Sequence, residues 1–195
     1  MYFSQQQGEF FNINDHLNKN SSSDKLVHLS RALIEQWQER IQLHQSNLFK
    51  GFGKSHTQGS LFELESNNLM NEFQPLKLTP LPINFWRWPK SLHHGPAIYI
   101  VMDRIKNKDS YLMLYIGETV AAEKRWKGEH DCKAYVANYS EALKSAKMDH
   151  QLSIRFWTDV PKSTKKRRQL EQELIKLWLP PFNKENRSRW ETPFT

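Results

Sequence analysis

Apolar and polar positions fall along this chain in two different textures, with the change near residue 97. Residues 1–23 are rich in Asn, Gln and Ser and show no apolar period beyond Phe10 and Phe11, which predicts a loose amino terminus. From Asp24 onward Leu26, Leu29, Leu33, Trp37, Ile41 and His44 recur at helical spacing behind a Ser/Asp cluster suited to capping, so a long amphipathic helix is expected. Lys50-Gly51-Phe52-Gly53-Lys54-Ser55 has the look of a phosphate-cradling loop, but the first glycine of such a loop would fall at Leu48, after a helix rather than a strand. A glycine-containing connector is the better reading, and it sets aside a phosphotransferase. Pro75, Pro80, Pro82, Pro89 and Pro96 alternate with Leu76, Leu78, Leu81, Phe85, Trp86 and Trp88. Proline lacks a backbone donor and disfavours helix, so this stretch should be an extended arm laying apolar side chains on a neighbouring surface. An aromatic platform for unpaired bases is the alternative.

Beyond Ala97 short apolar runs alternate with helical patterns. Ala97-Ile98-Tyr99-Ile100-Val101-Met102 and Leu112-Met113-Leu114-Tyr115-Ile116 predict two strands of a hairpin, joined by the polar stretch from Asp103 to Ser110. Gly117 should end the second strand, Thr119 cap a short helix through Trp126, and Gly128 stop it. Asp131 can cap a further helix whose apolar face is Tyr135, Val136, Tyr139, Ala142, Leu143 and Ala146. Leu152, Ile154 and Phe156 alternate with Ser153, Arg155 and Trp157 as in a half-buried strand, and a last helix runs from near Thr164 to before Pro180.

A chain of 195 residues suits one domain, or a compact catalytic domain with an accessory region. The net charge of +7 is unevenly placed: nine basic residues face eight acidic ones over 1–90, against nineteen and thirteen over 91–195. A localised positive field favours a polyanion such as nucleic acid, although ordinary solubility explains the excess about as well. The single Cys132 rules out an internal disulfide and a multi-cysteine zinc site, in keeping with a reducing compartment. No apolar run reaches the ~20 residues of a membrane helix, and the start lacks a secretion-signal layout, so a cytoplasmic protein with no membrane partner is expected.

The sharpest chemical signal lies in the last helix. Laid out at ~100° steps, Leu170, Leu174, Leu177, Trp178 and Ile175 share one arc, and Glu171 falls inside it while Glu173 does not. A carboxylate on a core-facing stripe needs a cation or a metal, so Glu171 is a candidate metal ligand, with an ion pair to a nearby arginine as the alternative. Tyr99 and Tyr115 sit on two strands that should pair, where each hydroxyl needs a partner; alone, each reads as structural.

Taken in order, Ala97-Ile98-Tyr99, Tyr115-Ile116-Gly117-Glu118-Thr119, Arg125, Leu170-Glu171-Gln172-Glu173-Leu174-Ile175-Lys176 and Pro181-Phe182-Asn183 resemble the motif set of the GIY-YIG nucleases, over about residues 95–185. Residues 1–94 would then be an accessory region and 186–195 a basic tail. The resemblance implies an α/β chain of the α+β kind, with a small three-stranded antiparallel sheet flanked by helices, that hydrolyses DNA phosphodiesters with Mg²⁺ or Mn²⁺. It implies that Tyr99 orients or deprotonates the attacking water, that Tyr115 positions water or the scissile phosphate, and that Arg125 neutralises charge on that phosphate. Glu171 would hold the metal and Asn183 would shape the site. Ala97 stands where the family usually has glycine, and the hairpin loop is long for it. His130 lies one residue later than the histidine some members use, so a catalytic His130 and a capping or solvent-facing one stay open.

Lys165, Lys166, Arg167 and Arg168 should crown the start of the last helix, where cations oppose the helix dipole. Phosphate contact accounts for them better than helix stability, with a solvated patch as the alternative, and Arg187 and Arg189 would extend that face. The expected partner is double-stranded DNA, with homodimerisation open. A module of the same fold that binds nucleic acid without cutting is the competing reading.

Overall fold

The computed structural model describes residues 29–51, 69–87, 92–105, 109–125 and 131–194. The amino-terminal stretch, most of the glycine-containing loop, the hairpin tip at 106–108 and the segment holding Gly128 and His130 lie outside the described residues.

The chain is α+β, built on a three-stranded antiparallel sheet with helices on both faces. Strands β1 (Ala97–Ile105), β2 (Ser110–Thr119) and β3 (Leu152–Trp157) lie in the order β2-β1-β3, so the predicted hairpin forms and β1 runs down the middle. Both strands of the hairpin are longer than expected. Asp103, assigned to the turn from sequence, sits inside β1 and is fully buried. Gly117 does not end β2, which continues to Thr119.

Helix α1 (Arg31–Phe49) begins behind Ser30, whose hydroxyl accepts from the Leu33 amide. Its buried stripe is Ile34, Trp37, Gln38, Ile41 and Gln45. Leu33, placed on that stripe from sequence, is 47% exposed. The stripe turns by one position because Ile34 and Gln38 complete the row with Trp37 and Ile41. Helix α2 is a single turn (Ala122–Arg125), entered where the Thr119 hydroxyl accepts from the Ala121 amide. Helix α3 (Asp131–Ser145) and helix α4 (Thr164–Trp178) follow the predicted pattern. Among the described residues no helix is long and apolar enough to cross a membrane.

Side chains alternate across the sheet and divide the core in two. Ala97, Tyr99, Val101, Ile154 and Phe156 pack with α1, α3, Phe182, Trp190 and Phe194 on one face. Ile98, Ile100, Met102, Met113 and Ile116 pack with Leu170, Leu174, Ile175 and Trp178 of α4 on the other. Thus α1 and the carboxy-terminal segment share one core with the sheet: Trp37 lies against the rings of Tyr139, Phe182 and Phe194. The proline-rich arm also packs inward, with Leu81 and Phe85 buried and Leu81 exchanging two backbone hydrogen bonds with Ile154 on the outer edge of β3.

Val101 pairs with Tyr115 and Met102 with Met113, so Leu114 is an extra residue in β2. This bulge turns both Leu114 and Tyr115 toward the α1/α3 face. It also aims Tyr115 along the same face as Tyr99.

Candidate active site

Because β2 is an edge strand, its outward backbone groups need partners from elsewhere. Four residues supply them. Gln45 receives the Met113 amide hydrogen at 2.8 Å and donates to the Met113 carbonyl at 3.0 Å. The Phe182 amide donates to the carbonyl of the bulged Leu114 at 3.0 Å. Asn183 clasps Ile116 in the same two-way fashion, accepting at 3.0 Å and donating at 2.8 Å. One step further, the Glu118 amide donates to Glu171 Oε1 at 2.9 Å. The polar edge of a strand therefore holds α4 and the chain after it in register with β2, and this fixes where Glu171 and Asn183 stand.

Off that edge opens a hollow of about 390 Å³, lined by Tyr115, Arg125, Glu171, Asn183 and Arg187 among others. Residues distant in sequence thus meet at one place: Tyr115 from β2, Arg125 from α2, Glu171 from α4 and Asn183 from the following turn. Tyr99 does not line it. The sequence reading gave Tyr99 the task of orienting or deprotonating water, but the ring is fully enclosed, 0% exposed, behind the site. Its hydroxyl accepts from Arg125 Nε at 3.0 Å, and the guanidinium lies 5.4 Å from the ring centre. In this arrangement Tyr99 anchors Arg125 rather than meeting solvent.

The two phenols stack, with ring centres 5.8 Å apart and planes 29° from parallel. Gly117 lies beside them and makes room; a Cβ there would stand 2.5 Å from Tyr99 Cζ and 2.8 Å from Tyr115 Cε1. Burial, reinforced by Tyr115, raises the Tyr99 hydroxyl well above its ordinary value, against the pull of Arg125. Burial likewise pushes Tyr115 up to about 12. Both are neutral phenols near pH 7, able to donate and accept hydrogen bonds but not to act as strong bases.

Glu171 behaves differently. Burial raises its carboxyl to about 7; the negative charges of Glu118 and Glu185 add to this, while the Glu118 amide and Arg125 oppose it. Near neutrality such a group exchanges its proton readily for another cation. Among the described residues no three His, Cys, Asp or Glu side chains form a cage for a metal. One carboxylate nonetheless suits Mg²⁺, which keeps most of its water shell and takes only one or two protein carboxylates.

The basic residues do not form the single surface expected from sequence. Lys165, Lys166 and Arg168 are exposed at the start of α4. Arg167 is not part of that surface: it is fully buried, with Nε donating to Glu118 Oε2 at 3.0 Å and Nη1 donating to the carbonyls of Pro161 and Lys162. Loop carbonyls and an acid, rather than phosphate, account for this cation. Arg168 also reaches Glu118, at 3.2 Å, from an exposed position. Arg189 is exposed beside the Trp190 ring, whereas Arg187 belongs to the hollow.

Comparison with known proteins finds no counterpart. No family model, curated protein or solved structure matches the chain.

Sequence reading missed the Glu118–Arg167 pair and the Gln45 clamp. Gln38 and Gln45 carried the same signal as Glu171, a polar residue inside an apolar helical stripe. Gln38 donates to the Tyr139 hydroxyl, which donates to the buried Asp103 at 2.7 Å. Glu118 had no such signal, since its importance depends on a helix fifty residues away.

Proposed function

We propose that the chain is a metal-dependent endonuclease of the GIY-YIG type that hydrolyses DNA phosphodiesters by water attack. The observation that supports this reading is the convergence of Tyr115, Arg125, Glu171 and Asn183 on one hollow, with Tyr99 behind Arg125. Cleavage needs positive charge at the phosphate as the pentavalent state forms, and a water held in line with the leaving oxygen. Arg125 supplies the first. Its planar guanidinium stays charged at any physiological pH, and the bond from Nε to Tyr99 fixes its orientation before substrate arrives. Tyr115, a neutral phenol on the wall of the hollow, hydrogen-bonds the water or a phosphate oxygen.

Glu171 would hold Mg²⁺ or Mn²⁺ through one carboxylate and the ion's own water shell. When bound, the ion supplies a water of lowered pKa and further positive charge at the phosphate. Asn183 holds the wall itself by clasping Ile116.

A non-cutting module of the same fold has one observation in its favour: Glu171 and Asn183 both satisfy the edge of β2, a duty that would retain them without catalysis. Supercoiled plasmid incubated with the protein, with and without Mg²⁺ or Mn²⁺, separates the two. Metal-dependent nicking that falls by about 10²–10³-fold in Arg125→Ala supports the nuclease. Binding without nicking across varied DNA and RNA substrates overturns it.

A further inference from the structure

The hollow holds a second guanidinium that the reaction described above leaves unused. Arg187 lines it together with Arg125 and Lys184, three cations against the two acids Glu171 and Glu185. A surface arginine ordinarily samples many rotamers, but this one is fixed twice over. Its guanidinium carbon lies 4.1 Å from the centre of the Tyr135 ring, and its Nε donates to the Phe182 carbonyl at 3.3 Å. Tyr135 in turn stacks on Phe182, with ring centres 5.7 Å apart and planes 27° from parallel. Phe182 is fully buried. The guanidinium thus rests on a pile of rings rooted in the core, held by groups that carry no formal charge. A cation set in place before substrate arrives loses little freedom on meeting an anion.

A hollow of about 390 Å³ lies within the ~300–1,000 Å³ of ligand clefts and takes in more than one phosphate group. Arg125 and Arg187 reach it from different parts of the chain, one from α2 and the other from the turn after α4. Two preset cations around one polar hollow match a repeating polyanion better than a single phosphate.

We propose that Arg187, seated on Tyr135, grips the phosphate next to the scissile one, so that the hollow selects a polynucleotide strand over an isolated phosphodiester. This deepens the nuclease reading and rests on it. Arg187 is then a binding residue and Tyr135 a positioning residue, whose ring rather than its hydroxyl matters.

The test compares wild type, Arg187→Gln, Tyr135→Phe and Tyr135→Leu. Binding of a fluorescent duplex oligonucleotide is measured against salt in the presence of EDTA, where cutting plays no part. Hydrolysis with Mn²⁺ is measured on the same oligonucleotide and on bis(p-nitrophenyl) phosphate, a diester without a neighbouring phosphate. Arg187→Gln should weaken oligonucleotide binding about tenfold and reduce the salt slope by about one. It should raise KM for the oligonucleotide at least ten times more than for the small diester. Tyr135→Leu should follow it, and Tyr135→Phe should keep the wild-type slope. An unchanged slope in Arg187→Gln, or equal losses on both substrates, overturns the proposal. A protein that binds but never cuts overturns the nuclease reading and leaves the salt slope to decide the fate of Arg187. Absence of oligonucleotide binding by wild type overturns both.

Discussion

Arg125 Nε donates to the Tyr99 hydroxyl at 3.0 Å, and this bond joins the central strand to the charged group that α2 sends into the hollow. Two substitutions separate its parts. Arg125→Ala removes the cation and should lower nicking by about 10²–10³-fold, the effect of losing one preorganised donor. Tyr99→Phe keeps the buried ring and its face toward the guanidinium but removes the oxygen that accepts from Arg125 Nε. A loosened catalytic group costs up to about 10²-fold in rate, so Tyr99→Phe should fall between wild type and Arg125→Ala with little change in Tm. Full activity in Tyr99→Phe would show that the phenol is no anchor.

The pH response should be governed by Glu171. Its carboxyl is raised from an ordinary 4.5 to about 7, mainly by burial. Between those values the folded chain keeps a proton that the unfolded chain has released. The stability this site contributes is therefore complete below pH 4.5 and lost as pH rises through 7. Glu171→Gln can still accept the Glu118 amide, yet it cannot ionise. Wild type should lose Tm between about pH 5 and pH 8 by more than the variant does. Mg²⁺ or Mn²⁺ should restore part of that loss at about pH 8, in wild type alone, because the cation competes with the proton for the same oxygen. Thermal unfolding scans at the two pH values, with and without metal, check this; matching curves for the two proteins would remove Glu171 from both roles.

What the sequence could and could not reveal follows from the range of the interactions involved. Helix α4 was legible because one apolar stripe runs through Leu170, Leu174 and Trp178, and Glu171 stood out against it. The hairpin was legible from its two apolar runs. Its bulge was not, since Leu112 to Ile116 is apolar throughout and no alternation marks Leu114 as the extra residue. The same uniformity hid which way Tyr115 faces. The basic run misled for a different reason. Four adjacent cations look alike in sequence, and the helical turn alone sends Arg167 inward to Glu118 while its neighbours stay in solvent.

That division of the basic run makes two opposite expectations. Replacing Lys165, Lys166 and Arg168 with Gln should flatten the salt dependence of DNA binding, by up to about one unit of slope for each phosphate left without its cation, with the fold intact. Arg167→Gln should act on stability. It leaves Glu118, whose side chain is 14% exposed, with the exposed Arg168 in place of two arginines, and takes the donor from the Pro161 and Lys162 carbonyls. Breaking one side of such a pair costs about 3 kcal/mol, which lowers Tm by about 6–12 °C in a chain of this size. Calorimetry and salt-titrated binding on the two variants distinguish the effects. A normal Tm for Arg167→Gln would contradict the buried pairing.

Gly117→Ala tests whether the two phenols must touch. The added methyl would stand 2.5 Å from both Tyr99 Cζ and Oη and 2.8 Å from Tyr115 Cε1. Atoms at that range overlap, and neither ring is the loose end of a flexible chain: Tyr99 is enclosed, and Tyr115 stacks upon it. Overpacking of this kind costs about 1–3 kcal/mol. The site should suffer more than the fold, because the displaced Tyr99 hydroxyl carries Arg125 with it. Nicking should drop by about 10²-fold while the variant remains folded by circular dichroism. Adding Tyr99→Phe to Gly117→Ala removes the hydroxyl oxygen from the clash and should recover part of the lost Tm without recovering activity. A Gly117→Ala variant that cuts as well as wild type would mean that the stacked pair has room to part, and that the placement of Arg125 does not depend on it.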